Sequence, residues 1–262
     1  PAGITSAVAA VQRGFDVELW EKENELGGAL IAAGVPGFKC DCARYLGYLR
    51  NQLFKYGVDV RKGKEATAAE IITKNLDVVI IAGSAKPIIP NIPGSDQVNV
   101  LEATALLKKG ECAGNKIVVL GGGLVGCETA LFLERMGKEV TIVEMLEDLL
   151  LTVVHSLNNH QAIQRLVADS SVKVLTKSKL VSIGKDKAII QSNGQETEIP
   201  CDTLVMAVGY RADGSLPDAL KGKIKKVITI GDNVEPGKII DAVHQGFHAI
   251  RLLEELNTED FI

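Results

Sequence analysis

Apolar residues follow two rhythms along this chain. Short unbroken runs, Lys116-Ile117-Val118-Val119-Leu120 and Glu139-Val140-Thr141-Ile142-Val143 among them, read as strands. The same pattern predicts strands at Asp16–Glu21, Val58–Arg61, Val78–Ala82, Thr203–Val208 and Val227–Asp232. Between them, apolar residues recur every third or fourth position. That spacing predicts helices over Ile4–Arg13, Asp41–Tyr56, from the glycines after Leu120 to Met136, and Lys238–Leu256. Strands alternating with helices predict parallel sheets covered by helices. One region differs. Val172–Gly184, Ala188–Gln191 and Thr197–Ile199 follow one another without a helix, and Ser192-Asn193-Gly194 reads as a hairpin turn, so these strands are expected to be antiparallel. Pro87, Pro90, Pro93 and Gly94 predict a rigid extended connector at a domain boundary. The last strand and helix return to the first unit. One domain, 108–215, is therefore expected to be inserted in another made of 1–107 and 216–262.

Within this pattern one motif occurs twice. Residues 121–144 read GGGLVGCETALFLERMGKEVTIVE, and residues 1–21 read PAGITSAVAAVQRGFDVELWE. They align without a gap: Gly3 on Gly126, Ala7 on Ala130, Gly14 on Gly137, Val17 on Val140, Glu21 on Glu144. The second copy holds a complete G-x-G-x-x-G in Gly121, Gly123 and Gly126, between a strand and a helix, and reaches a carboxylate at the end of the next strand. The first glycine permits a tight turn, the second a close approach to a pyrophosphate, and the third close helix–strand packing; the carboxylate accepts from a ribose diol. Two dinucleotide sites are implied. In the same register the first two glycines of copy one fall before Pro1. The expectation is a first domain that lacks its first strand, which binds flavin poorly until about ten upstream residues are restored.

Composition narrows the class. At 46% hydrophobic and only 4% aromatic, the core is expected to be Val, Ile, Leu and Ala, as in parallel sheets buried on both faces. The formal net charge is −4, and the basic stretch 221–226 reads as a solvated loop, so no nucleic-acid partner is expected. No apolar run has the length of a membrane span. Five cysteines, Cys40, Cys42, Cys112, Cys127 and Cys201, include no C-x-x-C, so reduced thiols and a cytoplasmic location are expected, without a redox dithiol or a metal. His244 and His248 lie four apart on the last helix and read as packing or exposed residues; His155 and His160 have no evident task.

The segments VELWEKENELGG, IIAGSAKPIIPNIPG, VVLGGGLVGCE, DTLVMAVGY and ITIGDNVEPGKIIDAVHQGFHAI resemble those of the two-dinucleotide-binding-domain flavoprotein reductases. ELGGALIAAGVPGFK and the Tyr45-Leu46, Tyr48-Leu49 helix narrow the resemblance. They point to the C-terminal half of the old-yellow-enzyme-like iron–sulfur flavoenzymes, the group of 2,4-dienoyl-CoA reductase, enoate reductases and trimethylamine dehydrogenase. The resemblance implies an α/β fold of two Rossmann-like domains binding FAD and NAD(H). It implies a further barrel module, outside this sequence, that carries FMN and a 4Fe–4S cluster. Gly3, Glu21, Lys22, Gly27, Gly28, Ala66, Ala82, Gly83, Gly231 and Asp232 would then hold FAD. Gly121, Gly123, Leu124, Val125, Gly126, Glu144, Ala207 and Gly209 would hold NAD(H). Where the family has Ala-Thr-Gly, this chain has Ala82-Gly83-Ser84.

The implied activity is NADH-dependent reduction of the flavin, with electrons passed to the barrel and an enoate or dienoyl-type substrate, and with no acid–base residue required in this half. Glu144, followed by no Lys or Arg before Arg165, predicts NADH over NADPH. Alternatives stay open: a structural ADP in place of FAD, a stand-alone pyridine-nucleotide-dependent reductase, and a homo-oligomer as partner.

Overall fold

The computed structural model describes residues 1–97, 99–110, 114–152 and 157–258, and the side chains of these except 157 and 254–258. In chain order its first elements are α1 (Ala2–Gln12), β1 (Glu18–Glu21), α2 (Ala29–Ala33), α3 (Cys40–Lys55), β2 (Asp59–Lys62), α4 (Ala68–Thr73), β3 (Val79–Ile81) and β4 (Lys86–Pro87). Then come β5 (Val100–Glu102), α5 (Ala103–Lys109), β6 (Lys116–Leu120), α6 (Leu124–Arg135), β7 (Glu139–Val143), α7 (Leu157–Ala168) and β8 (Lys173–Leu175). The last are β9 (Ser178–Ile183), β10 (Lys187–Ser192), β11 (Gln195–Pro200), β12 (Thr203–Met206), β13 (Tyr210–Arg211), α8 (Ser215–Leu220), β14 (Val227–Thr229) and α9 (Ile239–Thr258).

The chain divides into two compact units, 1–34 with 40–86 and 210–262, and 35–39 with 87–209. Besides the short excursion at 35–39, the crossings fall at 86/87 and 209/210, where the sequence pattern suggested 107/108 and 215/216. The reason is β5, which pairs in parallel with β12 and so ties 100–102 to the second unit.

In the first unit β1 pairs with β2 and β3 with β14, both in parallel, as two separate two-stranded sheets. Helix α1 organises the packing. Ile4 and Ala7 join Leu30, Leu46, Leu49 and Leu53 beneath α3. Ala9 and Ala10 join Ile250 and Leu253 of α9, over Val17, Ile80 and Ile228. The small residues of α1 let the helices approach closely: a Cβ on Gly246 of α9 would stand 2.5 Å from the Ala2 carbonyl oxygen.

The second unit holds a five-stranded parallel sheet, ordered β5-β12-β6-β7-β8. Its central strands are mostly apolar, and Ile117, Val118, Val119, Val140, Ile142, Leu204 and Val205 are at most 2% exposed. This is the expected consequence of cover on both faces, although helices were expected on each and an antiparallel sheet covers one of them. A three-stranded antiparallel sheet, β11-β10-β9, packs Leu180, Ile183, Ala188 and Ile190 onto the same core. The turn between β10 and β11 has positive φ at both Asn193 (51°) and Gly194 (79°), which the right-handed twist of a tight hairpin requires. One expected strand is corrected. Val172–Gly184 is not continuous: β8 belongs to the parallel sheet and β9 to the antiparallel one. The chain turns between them at Lys177, whose φ is 49°.

Candidate functional site

In the second unit β6 runs between β12 and β7, so its C-terminal end has neighbours on both sides. Gly121 follows with φ 106°, a left-handed conformation that favours glycine, and a Cβ there would meet the Ala207 carbonyl oxygen at 2.5 Å. Gly126 packs against the same turn, where a Cβ would lie 1.9 Å from the Gly121 carbonyl oxygen. Gly123, the residue before α6, faces open space, with nothing within 4 Å of its would-be Cβ. Helix α6 has no side-chain cap and no acid in its first turn, which Leu124 and Val125 begin. Its first N–H groups and its dipole are therefore available to an anion. Glu144 follows β7 immediately, and its carboxylate accepts from the Gly122 amide (2.6 Å) and the Leu146 amide (2.8 Å). Gly209 (φ 101°) lies further on, after β12 and Ala207. The structure thus brings Gly121, Gly123, Leu124, Val125, Gly126, Glu144 and Ala207 together around one turn. This geometry fits a dinucleotide pyrophosphate and ribose.

In the first unit Gly3, Ala82 and Gly231 meet at the N-terminus of α1. A Cβ on Gly3 would lie 3.2 Å from the Ala82 Cβ and 3.8 Å from Leu19 Cδ1. Glu21 ends β1 and its carboxylate accepts from the Glu23 amide at 3.0 Å, as Glu144 does from Leu146. A Cβ on Gly231 would lie 3.0 Å from the Ala2 methyl, which puts the Gly231–Asp232 turn beside the start of α1. Lys64 donates its amide to the Glu21 carbonyl (2.9 Å), which carries the chain from β2 past Glu21 toward half-buried Ala66. Gly28 (φ 56°) starts α2 near Ser84, and Gly27 (φ 138°) is held against Leu46. Lys22 is exposed. Gly83 abuts Asn233, whose Oδ1 would stand 2.9 Å from a Cβ at 83. Gly231 (φ 66°) donates its amide to Gln245 Oε1 (2.6 Å), and Asp232 accepts from Gly237 (3.1 Å). The start of α9 is capped from within, the Lys238 amide donating to Asp241 Oδ2 at 2.8 Å.

Three features escaped the sequence reading. Gly122 is buried against Glu144 and Leu149. Leu150 adopts φ 62°, rare for a bulky residue, and its amide donates to the Gly122 carbonyl at 2.8 Å. Glu128, on the buried face of α6, receives Lys39 Nζ at 2.6 Å. A carboxylate two residues past the third glycine, among apolar helix positions, was the available signal, because a buried charge needs a partner.

The remaining candidates are quiet. Cys40 is exposed and Cys42 half-buried, while Cys127 and Cys201 are buried; none is in a disulfide. Burial pushes the Cys127 thiol up to about 12 and the Cys201 thiol up to about 11. Cys112 and His155 lie outside the described residues. Among the described residues no cluster of His, Cys, Asp or Glu could hold a metal ion, and no helix is long and apolar enough to cross a membrane. His244 and His248 are exposed and pack edge to face, 6.2 Å between ring centres.

The glycine turn of the second unit opens a helix and is met by a carboxylate after the next strand, and the first unit repeats the helix start at Gly3 and the carboxylate at Glu21. The family model described as pyridine nucleotide-disulphide oxidoreductase matches residues 1–235, and the chain belongs to that family. It is thereby an oxidoreductase domain of the FAD- and NAD(H)-binding flavoproteins. A NADH oxidase of Thermoanaerobacter brockii is 37% identical over 94% of this chain and 39% of its own length. A cinnamate reductase of Clostridium sporogenes is 32% identical over 95% of this chain and 37% of its own. The solved structure of a 2-naphthoyl-CoA reductase in complex with 2-naphthoyl-CoA superposes with a TM-score of 0.88 at 30% identity, over 94% of this chain and 37% of that one. The expected resemblance to the iron–sulfur flavoenzyme reductases holds. The chain spans about two-fifths of the length of these relatives.

Proposed function

We propose that this chain is the nucleotide half of a larger NADH-dependent reductase. NADH lies at the turn 121–126 with its adenosine ribose on Glu144, and FAD lies in the first unit against Gly3, Glu21, Gly28, Ala82, Gly83, Gly231 and Asp232. The chemistry supplied when both are bound is hydride transfer from nicotinamide to flavin. The chain's own residues orient and hold. The uncapped start of α6 meets the pyrophosphate charge, and the Glu144 carboxylate accepts from ribose hydroxyls and repels a 2′-phosphate. Lys39 and Glu128 neutralise each other beside α6 and keep its buried face free of an uncompensated charge. The electron acceptor is an iron–sulfur and FMN barrel module outside residues 1–262, acting on an enoate or dienoyl-type double bond. The cinnamate reductase and the naphthoyl-CoA reductase among its relatives, each more than twice its length, support that reading.

One observation carries the proposal: the bare N-terminus of α6 behind Gly123, with Glu144 across the turn. The test uses the full-length protein under anaerobic conditions. NADH should bleach the bound flavin, and NADPH should do so only at a much higher concentration. Extraction of ADP without flavin, or equal response to both nucleotides, overturns it.

A further inference from the structure

Glu144 does more in this fold than meet a ribose. The peptide groups of Gly122, the middle residue of the glycine turn, are held on both sides. The Gly122 amide donates to Glu144 Oε2 at 2.6 Å. Its carbonyl accepts from the Leu150 amide at 2.8 Å and from the Cys127 thiol at 3.3 Å. Packing enforces the same arrangement. A Cβ at position 122 would lie 2.5 Å from Leu149 Cδ2, 3.1 Å from Glu144 Oε2 and 3.2 Å from Glu144 Cβ. A side chain there would displace the end of Leu149 and crowd the carboxylate by a few tenths of an ångström. Glu144 is itself fixed: its amide donates to Leu175 (2.8 Å), its carbonyl accepts from Ser178 (2.9 Å), and its Oε1 accepts from Leu146 (2.8 Å). A carboxylate offers about four lone-pair directions. Two are used by backbone amides, which leaves one on each oxygen for a ligand hydroxyl.

Building on the NADH reading above, we propose that Glu144 is a positioning residue for the phosphate-binding turn as well as the ribose acceptor. The carboxylate that reads the sugar also sets the path of the backbone between Gly121 and Gly123. Affinity for the pyrophosphate therefore depends on Glu144 even when the ligand has no hydroxyl for it to hold. Glycine at 122 leaves room for this contact, at a position the G-x-G-x-x-G pattern leaves free.

The two roles separate with a ligand that lacks the adenosine hydroxyls. The probe is the 2′,3′-dideoxyadenosine analogue of NADH, titrated beside NADH into the full-length protein and its Glu144→Ala and Glu144→Gln variants. If Glu144 met only the ribose, the wild type and both variants would bind the analogue equally. Loss of the charge-assisted bond to Gly122 instead predicts that Glu144→Ala binds the analogue about tenfold more weakly than the wild type does. Glu144→Gln keeps one accepting oxygen for two amides and should lose about threefold. That variant decides the matter by itself if the alanine protein does not fold. Equal analogue affinity in wild type and Glu144→Gln, with NADH weakened in the variant, overturns the proposal and leaves the NADH reading intact. A wild type that binds neither ligand sinks the NADH reading itself and the proposal with it.

Discussion

Gly126 and Gly3 hold the same place in two copies of one pattern, yet a methyl group would meet different surroundings at each. At Gly126 it would enter the Gly121 carbonyl oxygen at 1.9 Å; at Gly3 it would touch the Ala82 methyl at 3.2 Å. The nearby alanines correspond too, since Ala207 lies 3.4 Å from the would-be Cβ of Gly126. What differs is that the second unit contains the strand and turn before this glycine, whereas their counterparts by register fall before Pro1. In the second unit β6 pairs with both β12 and β7, and its end folds back into the turn that Gly126 and Glu144 close. In the first unit the corresponding neighbours, β3 and β1, belong to separate sheets. Glu21 keeps the local bond to the amide two residues on, while Glu144 makes that bond and a second to the turn. The comparison teaches that register places a glycine or an acid, and the adjoining strand decides what it does.

The largest effect that could break this comparison is at the paired glycines. Gly126→Ala should abolish NADH binding in a calorimetric titration, because the methyl group can enter only by displacing the turn backbone. It should also cost about 1–3 kcal/mol of stability. In a protein made of residues 1–262 alone, Gly3→Ala should change the unfolding free energy by about 1 kcal/mol or less, since the contact there is with the Ala82 methyl and alanine favours the helix. Equal losses at the two positions would show that the packing difference is unimportant.

Next come the ion pairs. Lys39→Met strands Glu128, whose side chain is 9% exposed, and should cost about 3 kcal/mol in urea denaturation, with Glu128→Gln in the same chain restoring most of it. In the first unit Lys74→Met opens the more exposed pair with Glu18 and should cost about 0.5 kcal/mol or less.

Nucleotide preference should shift by a smaller amount. Glu144→Ala is expected to reduce the NADH-over-NADPH ratio about tenfold, by removing both a hydroxyl acceptor and a charge that repels the 2′-phosphate. Glu21→Ala should leave that ratio unchanged, and a matching fall there would mean the two carboxylates have been assigned to the wrong nucleotides.

Thiol labelling sharpens the contrast with the least perturbation. Cys40, exposed in the first unit, should alkylate in the native protein, whereas Cys127 and Cys201 in the second should not. Even at pH 9 a thiol held near 12 is only about a thousandth thiolate. Both should label once denaturant returns them to their ordinary range. Native labelling of Cys127 would show that the turn opens readily.

Much of this was legible beforehand, for identifiable reasons. Strands such as Lys116–Leu120 and Glu139–Val143 are mostly apolar beyond their charged first residue, and a strand buried on both faces leaves that mark in the sequence. Gly121, Gly126 and Glu144 are fixed by a spacing that one turn, one helix and one strand must satisfy, and the hairpin at Asn193-Gly194 by a need for positive φ. Tertiary structure decided the rest. Nothing in Val172–Gly184 announces that the chain leaves one sheet for another at Lys177, because both halves carry strand-like residues and only their partners differ. β5 is too short to declare its sheet until β12 pairs with it. The Lys39–Glu128 pair joins residues 89 positions apart. The left-handed Leu150 and the clamp on Gly122 arise where separate segments meet around one turn. Local steric rules and periodicity are written along the chain, whereas a contact between distant segments exists only once the chain has folded.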